Sequence, residues 1–326
     1  MSAFEPVRVV VVGVGEFGRL HAGTLSGLAE AHLVGVVDTR AEAVDKLRRD
    51  IGELVAWSTL DHALKASNAD AYVIATHTPS HVALAEQVLR AGKCVLVEKP
   101  LAGTTAEAGK LADLVKPDSS NLMAAHILLF APPLRRLMRE AATQAPLTFF
   151  QAVRHRPATT REYYPHDNPL RLTMVHDLYV ALAMMNAQEP ETFSAWMHPH
   201  PAGAYDLATA ELRWSNGSCA SFVASFLTPP GMPADGYDRL EVFAPGWTAR
   251  LALNPQPLEV WTDRASWPVG LDIHADPSCP SGWLAEELRH FCRVVRGTAA
   301  VPVGARYQDA LQVQRWIERL ESLALR

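Results

Sequence analysis

Cysteine is scarce in this chain: Cys94, Cys219, Cys279 and Cys292 are the only four among 326 residues, with no C-x-x-C pair and no zinc-type spacing. That excludes a disulfide scaffold or a zinc module and fits a reducing, cytoplasmic setting. Long apolar runs are missing as well, and none approaches the roughly 20 residues that cross a membrane. The first apolar run begins too soon after Met1 for a charged region and a cleavable leader, so a non-exported protein is expected. Positive charge is not in excess. Lys and Arg number 30 against 35 Asp and Glu, and a net charge of −5 argues against a nucleic-acid surface. Repeats and low-complexity tracts are absent too. What is plentiful is ordinary core material, 48% hydrophobic against 20% charged, over a length suited to two domains.

The most informative segment is Val9-Val10-Val11-Val12-Gly13-Val14-Gly15-Glu16-Phe17-Gly18. It reads as a buried strand, a glycine-rich turn and a helix start. In a G-x-G-x-x-G turn, Gly13 permits the tight bend, Gly15 lets backbone approach a pyrophosphate and Gly18 lets the helix pack on the strand. The N–H groups of Glu16 and Phe17 join the helix start that favours a diphosphate. Asp38 closes the next apolar run, about 20 residues on, where a carboxylate accepts from both ribose hydroxyls. Its charge repels a 2′-phosphate, so NAD is expected over NADP, with Arg40 nearby to soften the preference.

Residues 7–125 alternate strand and helix. Expected strands are Arg8–Val12, Leu33–Asp38, Ala71–Thr76, Cys94–Glu98 and Leu122–Ala125, with a weaker one at Leu54–Trp57. Short apolar strands separated by helices predict a doubly wound parallel sheet in an α/β fold, with ligands beyond its carboxyl edge. That edge carries Gly13–Gly18, Asp38, Thr76-His77-Thr78-Pro79, Glu98-Lys99-Pro100 and His126. Beyond about residue 145 the pattern becomes α+β with an open, largely antiparallel sheet. Its strands are expected at Thr148–His155, Asp206–Trp214, Ser218–Phe226, Leu240–Ala244, Thr248–Leu253 and Leu258–Thr262, with Asn216-Gly217 as a hairpin turn. Helices are expected at Leu172–Asn186, Trp283–Arg296 and Tyr307–Leu323. The division read from this is residues 1–125 as the nucleotide-binding domain and 126–326 as a substrate-binding and oligomerisation domain.

Lys99 follows a buried strand and sits between Glu98 and Pro100, at a place where partial burial tunes a lysine for proton transfer. Here the chain resembles the glucose–fructose oxidoreductase / inositol dehydrogenase (Gfo/Idh/MocA) family. The resemblance rests on the glycine turn, on Ile74-Ala75-Thr76 leading to Pro79 and His81, and on Gly92-Lys93…Glu98-Lys99-Pro100-Leu101-Ala102. It extends through His126…Pro132 to Trp283…Phe291, Pro302 and Asp309-Ala310. It implies hydride transfer between NAD and a secondary hydroxyl or ketone of a sugar, cyclitol or sugar nucleotide. It also implies Lys99 beside the reacting hydroxyl, Thr76–Pro79 along the nicotinamide ribose, and a homodimer or homotetramer. His176-Asp177 matches a family helix that faces the nicotinamide, with His176 as an acid/base partner.

Two positions depart from the family pattern. The acid usual four residues before the histidine is Leu172, and the arginine usual before the aromatic of residues 126–132 is Leu129. The loss at Leu172 keeps two alternatives open, an NAD-recycling glycosidase or eliminase and a non-catalytic NAD sensor. A substrate anchor, for an anionic ligand among others, is sought in Arg154-His155-Arg156-Pro157…Arg161-Glu162-Tyr163-Tyr164-Pro165-His166. Alternation places Arg154 and His155 on opposite sheet faces. His126, Arg154, His155, Arg161, Tyr164 and Asp177 are the candidate substrate residues. His198-Pro199-His200 has no third ligand at familiar spacing, and no metal is expected.

Overall fold

The structure, a computed structural model, describes residues 5–165, 167–200, 205–229, 236–255, 260–261, 265–266, 272–273 and 276–325. Its first sheet is built from β1 (Val7–Val12), β2 (Ala31–Val37), β3 (Val55–Trp57), β4 (Ala71–Ile74), β5 (Cys94–Val97) and β6 (Leu122–Ala124). Between them run α1 (Glu16–Gly27), α2 (Ala41–Ile51), α3 (Leu60–Ala66), α4 (Thr78–Arg90) and α5 (Thr105–Ala108). All pairs are parallel, in the order β3-β2-β1-β4-β5-β6. That is the doubly wound order of a dinucleotide-binding sheet, and its switch point lies between β1 and β4. The valines of β1 are at most 2% exposed, as two covered faces require.

The second sheet combines β7 (Phe149–Pro157), β8 (Thr192–Pro199), β9 (Tyr205–Arg213), β10 (Cys219–Thr228), β11 (Tyr237–Ala244) and β12 (Trp247–Asn254). Around it lie α6 (Pro132–Ala141), α7 (Thr160–Tyr163) and α8 (Val175–Met184). Its order is β12-β11-β7-β10-β9-β8, antiparallel except where β7 pairs parallel with β10. The expected α/β plus α+β class is therefore observed. Strand β8 was not expected. It is an edge strand with mostly exposed side chains, it mixes Trp196, Met197 and His198, and it ends in Pro199, so it carries no clean alternation. Of the strand expected at Leu258–Thr262, only Val260–Trp261 is described, paired with Ala265–Ser266; the rest lies outside the described residues. The helix expected at Leu172–Asn186 is a π-turn, Leu170–Met174, running into α8; Asn186 and Ala187 at positive φ end it.

The chain is completed by α9 (Gly282–Val295) and α10 (Tyr307–Ala324). Two compact units result: residues 1–131 with 273–314, and residues 132–272 with 315–326. This corrects the single cut expected at 125/126. Trp283, Leu284, Leu288 and Phe291 of α9 are at most 1% exposed in the core of the first unit, so amphipathic helix α9 belongs with the parallel sheet rather than with the strands that precede it.

Candidate active site

In the first unit the loops after β1 and β4 close on each other at the switch point. Gly13 has φ +84°, and a Cβ there would come within 2.7 Å of Thr76 Cγ2 and 2.9 Å of the Ala75 carbonyl oxygen. A Cβ on Gly18 would stand 1.9 Å from the Gly13 carbonyl oxygen. Glycine is obligatory at both places for packing. Gly15 differs, because a Cβ there meets only Arg40 Nη2, at 3.9 Å. The space beside Gly15 is thus open to a ligand, and no side chain caps the start of α1. A pyrophosphate fits this cradle by backbone approach and by the helix dipole. Glu16 and Phe17 are exposed beside it, with the Phe17 ring edge-on to His21 at 5.7 Å.

Asp38 is fixed behind the same turn. Its Oδ2 accepts from Val14 N at 2.9 Å and its Oδ1 from Arg40 N at 2.9 Å, while the Arg40 guanidinium approaches at 3.3 and 3.4 Å. Burial opposes its charge, yet these hydrogen bonds hold the carboxyl below its ordinary value. Asp38 therefore presents a carboxylate at the position that reads an adenosine ribose, with Arg40, largely exposed, next to it.

Thr76 Oγ1 and Ser80 Oγ are 2.7 Å apart, and His77 and Pro79 are exposed at the start of α4. His81 is placed otherwise than expected for a cofactor contact. It is 1% exposed and its ring nitrogens lie 2.9 Å from the carbonyl oxygens of Thr76 and Pro100, so it ties the β4 and β5 loops together. Beyond β5, Glu98 Oε1 lies 2.8 Å from His21 Nε2, and Glu98 Oε2 accepts from Lys99 N at 3.1 Å. Lys99 is half-buried. His126 is fully buried, which corrects its assignment as a substrate contact. Burial and the nearby Lys99 charge hold its imidazole well below the usual value, hence neutral.

The second unit holds the remaining candidates. Arg154 and Asp177, expected to contact substrate, are instead bound to each other. Arg154 donates to Asp177 from Nε (3.0 Å) and Nη2 (2.8 Å) and to Asp238 from Nη1 (2.7 Å). Arg156 bonds the same Asp238 at 2.5 and 2.9 Å. Register explains the meeting: Asp238 faces Arg154 across β11 and β7, with Arg154 on the covered face beside Phe150 and Ala152. Burial and its two aspartate neighbours act oppositely on Arg154, and the aspartates win, keeping the guanidinium charged. Burial pushes the Asp177 carboxyl up despite that partner.

His155 lies on the other face, as alternation predicts, with Nδ1 2.7 Å from Ser225 Oγ and its ring stacked on Tyr237. Burial lowers its proton affinity. Arg161 reaches Asp206 at 3.7 Å, and the same aspartate holds His198 at 2.8 Å. Tyr164 is exposed and His166 lies outside the described residues. His176 is half-buried in a turn whose neighbours Val175, Asp177 and Leu178 are buried. It is the second residue after the π-turn, a distortion frequent at functional sites. Among the described residues, no group of three or more His, Cys, Asp and Glu is arranged to hold a metal, and no helix is long and apolar enough to cross a membrane.

Residues 7–126 match the family described as "Oxidoreductase family, NAD-binding Rossmann fold" (Gfo/Idh/MocA). A UDP-N-acetylglucosamine 3-dehydrogenase of Acidithiobacillus ferrooxidans is 31% identical over 219 residues, 67% of this chain and 67% of that protein. The chain belongs to the Gfo/Idh/MocA oxidoreductase family. The solved structure of that dehydrogenase superposes with a TM-score of 0.79 at 25% identity, covering 98% of each chain. Biliverdin reductase A of Mus musculus is 30% identical over 229 residues, 67% of this chain and 72% of that protein. In fold, a scyllo-inositol dehydrogenase of Lactobacillus casei, solved with NAD(H) and scyllo-inositol, gives a TM-score of 0.83 at 17% identity, over 98% of this chain and 97% of that one.

Within this Gfo/Idh/MocA member, the two departures have local explanations. Leu129 is 5% exposed in the buried turn Ile127–Phe130, so an apolar residue suits its surroundings. Leu172 lies inside the π-turn and is half-buried. The signal that sequence reading missed is Glu287, a carboxylate in the apolar stripe of α9 that is 0% exposed.

Proposed function

We propose that this oxidoreductase acts on a secondary hydroxyl or ketone of a sugar, cyclitol or sugar nucleotide, using NAD rather than NADP. The nicotinamide, when bound, accepts or supplies the hydride. Gly13, Gly15 and Gly18 hold the diphosphate and Asp38 the adenosine ribose. Lys99 takes the hydroxyl proton in oxidation and returns it in reduction. The observation that carries this reading is the position of Lys99: it leaves the carboxyl end of β5 half-buried, backed by the Glu98 carboxylate that its own N–H helps to fix. His176, the open position on an otherwise buried turn, is the second proton-handling group. The relatives that act on UDP-N-acetylglucosamine and scyllo-inositol support the substrate class.

The test is Lys99→Ala. NADH affinity, read by fluorescence titration, stays within about threefold, while turnover falls about 10²–10⁴-fold, the usual contribution of a positioned acid/base. Unchanged turnover removes Lys99 from the chemistry. Native mass spectrometry decides the cofactor's fate, since NAD that stays bound and yields no net NADH would point to internal recycling. A homodimer or homotetramer and a cytoplasmic setting complete the proposal. The first is read by light scattering; the second is supported by four unpaired thiols.

A further inference from the structure

In the first unit the segment around Lys99 is held by two buried histidines from different helices. Ahead of the lysine, His21 of α1 is 0% exposed, and its Nε2 lies 2.8 Å from Glu98 Oε1. Glu98 Oε2 in turn accepts from the backbone N–H of Lys99 at 3.1 Å. Behind it, His81 of α4 is 1% exposed, with Nδ1 2.9 Å from the Pro100 carbonyl oxygen. The two rings differ in one respect. His81 has an acceptor at each nitrogen, whereas His21 Nδ1 has no hydrogen-bond partner among the described residues. Among those residues Glu98 is thus the one group that the His21 ring bonds, and the ring proton sits on Nε2, where the carboxylate takes it.

A glutamate left to itself samples several rotamers, and the N–H of the next residue has to compete with that freedom. A bond from a buried N–H to the other carboxylate oxygen removes it. We propose that His21 is a positioning residue for Lys99: it clamps one oxygen of Glu98 so that the other holds the Lys99 backbone, and so sets where the lysine leaves the sheet edge. Because α1 begins in the glycine turn, one helix then carries both the diphosphate cradle and the support of the lysine. Phe17, one turn ahead of His21 on the same helix face, stands edge-on to the imidazole at 5.7 Å and helps to keep water from it. His81 keeps its hold on Pro100 when His21 is replaced, so the loosening is confined to Glu98 and Lys99. The bearing on turnover rests on Lys99 as the proton carrier proposed above; the positioning itself does not.

The test uses the whole protein, and its first readout needs no substrate. Residue-resolved amide hydrogen exchange by NMR reads the Lys99 N–H directly. His21→Leu speeds that exchange by about 10–100-fold, the scale of losing a hydrogen bond to a charged group. His21→Gln, which returns an N–H to the place of Nε2, restores most of the protection. The amides of Glu98 and Ala75, bonded to the Ile74 and Val12 carbonyl oxygens at 2.9 and 2.8 Å, keep theirs in both variants, which a general loosening would not allow. Glu98→Ala frees the Lys99 amide equally, and adding His21→Leu to it changes nothing more. An unmoved Lys99 amide in His21→Leu, or equal loss in His21→Gln, overturns the clamp. Long-range proton–nitrogen spectra of wild type labelled at histidine place the His21 proton on Nε2, and Glu98→Ala shifts that signal; a proton on Nδ1 overturns the clamp even where His21→Leu does not fold. With scyllo-inositol or UDP-N-acetylglucosamine as substrate, kcat falls about 10–100-fold in His21→Leu, NADH affinity is kept, and His21→Gln recovers. If Lys99→Ala keeps full turnover while exchange behaves as stated, the positioning stands and the catalytic reading of Lys99 is the part that fails.

Discussion

Replacing Arg154 by Met separates a structural role from a substrate-binding one. In the structure Arg154 is 2% exposed and joins Asp177 and Asp238, themselves 3% and 1% exposed, through three hydrogen bonds of 2.7–3.0 Å. Asp238 keeps Arg156 in the variant, but Asp177 loses the partner that offsets its desolvation. Removing one member of a buried pair costs about 3–5 kcal/mol, much of it from the charge left behind. For a unit of this size each kcal/mol moves Tm by about 2–4 °C, so a fall of about 6–20 °C is expected by circular dichroism. The double variant Arg154→Met, Asp177→Asn recovers most of that loss, because both ends of the pair are then neutral. NADH affinity is unaffected, since the nucleotide residues lie in the other unit. A Tm within about 2 °C of wild type, accompanied by a raised substrate KM, would refute the argument and return Arg154 to the substrate.

Other perturbations follow from the first unit. Gly18→Ala drives a methyl into the Gly13 carbonyl oxygen; NADH affinity drops at least about 100-fold, about 2.8 kcal/mol, in a fluorescence titration. Asp38→Ser removes the charge that repels a 2′-phosphate and leaves Arg40 unopposed, so the NADPH-to-NADH affinity ratio rises by about tenfold or more. Glu287→Gln changes the pH dependence of stability. The folded-state proton affinity of Glu287 is raised, so between its unfolded and folded pKa values only the folded chain binds the proton. Stability contributed by that proton is present below about pH 4.5 and declines by about 1.4 kcal/mol per pH unit above it. The urea midpoint of Glu287→Gln therefore gains on wild type as pH rises from 5 to 8, and a gap independent of pH would sink this reading.

The parallel sheet was legible because its signals are local. A run of valines with glycines at fixed spacing has few other uses, and Asp38 and Lys99 each close a buried strand. The second sheet was legible by alternation where strands are half-buried, as in β7 and β9, and illegible in β8, whose edge position leaves most side chains exposed. The substrate residues were the weakest reading for a physical reason. Arg154, Asp177 and Asp238 are far apart in sequence, and only strand register reveals that their charges cancel within the core. A cluster of arginines looks like an anion site until its counter-ions are found. Glu287 was silent in the opposite way, as one acid in an amphipathic helix, a pattern that ordinarily means a solvated face.

The re-entry of residues 273–314 into the first unit has a consequence for how the protein is made. A ribosome that has completed residue 131 has delivered all six strands of the parallel sheet but none of α9, whose Trp283, Leu288 and Phe291 complete that unit's core. At about 5–20 residues per second, those side chains are added roughly 8–32 s later. The nucleotide unit must wait with part of its apolar interior uncovered while the second unit is synthesised. A chain stopped at residue 131 or 272 should therefore be recovered aggregated or bound to chaperones, and co-expression of residues 273–325 as a separate peptide is the natural rescue.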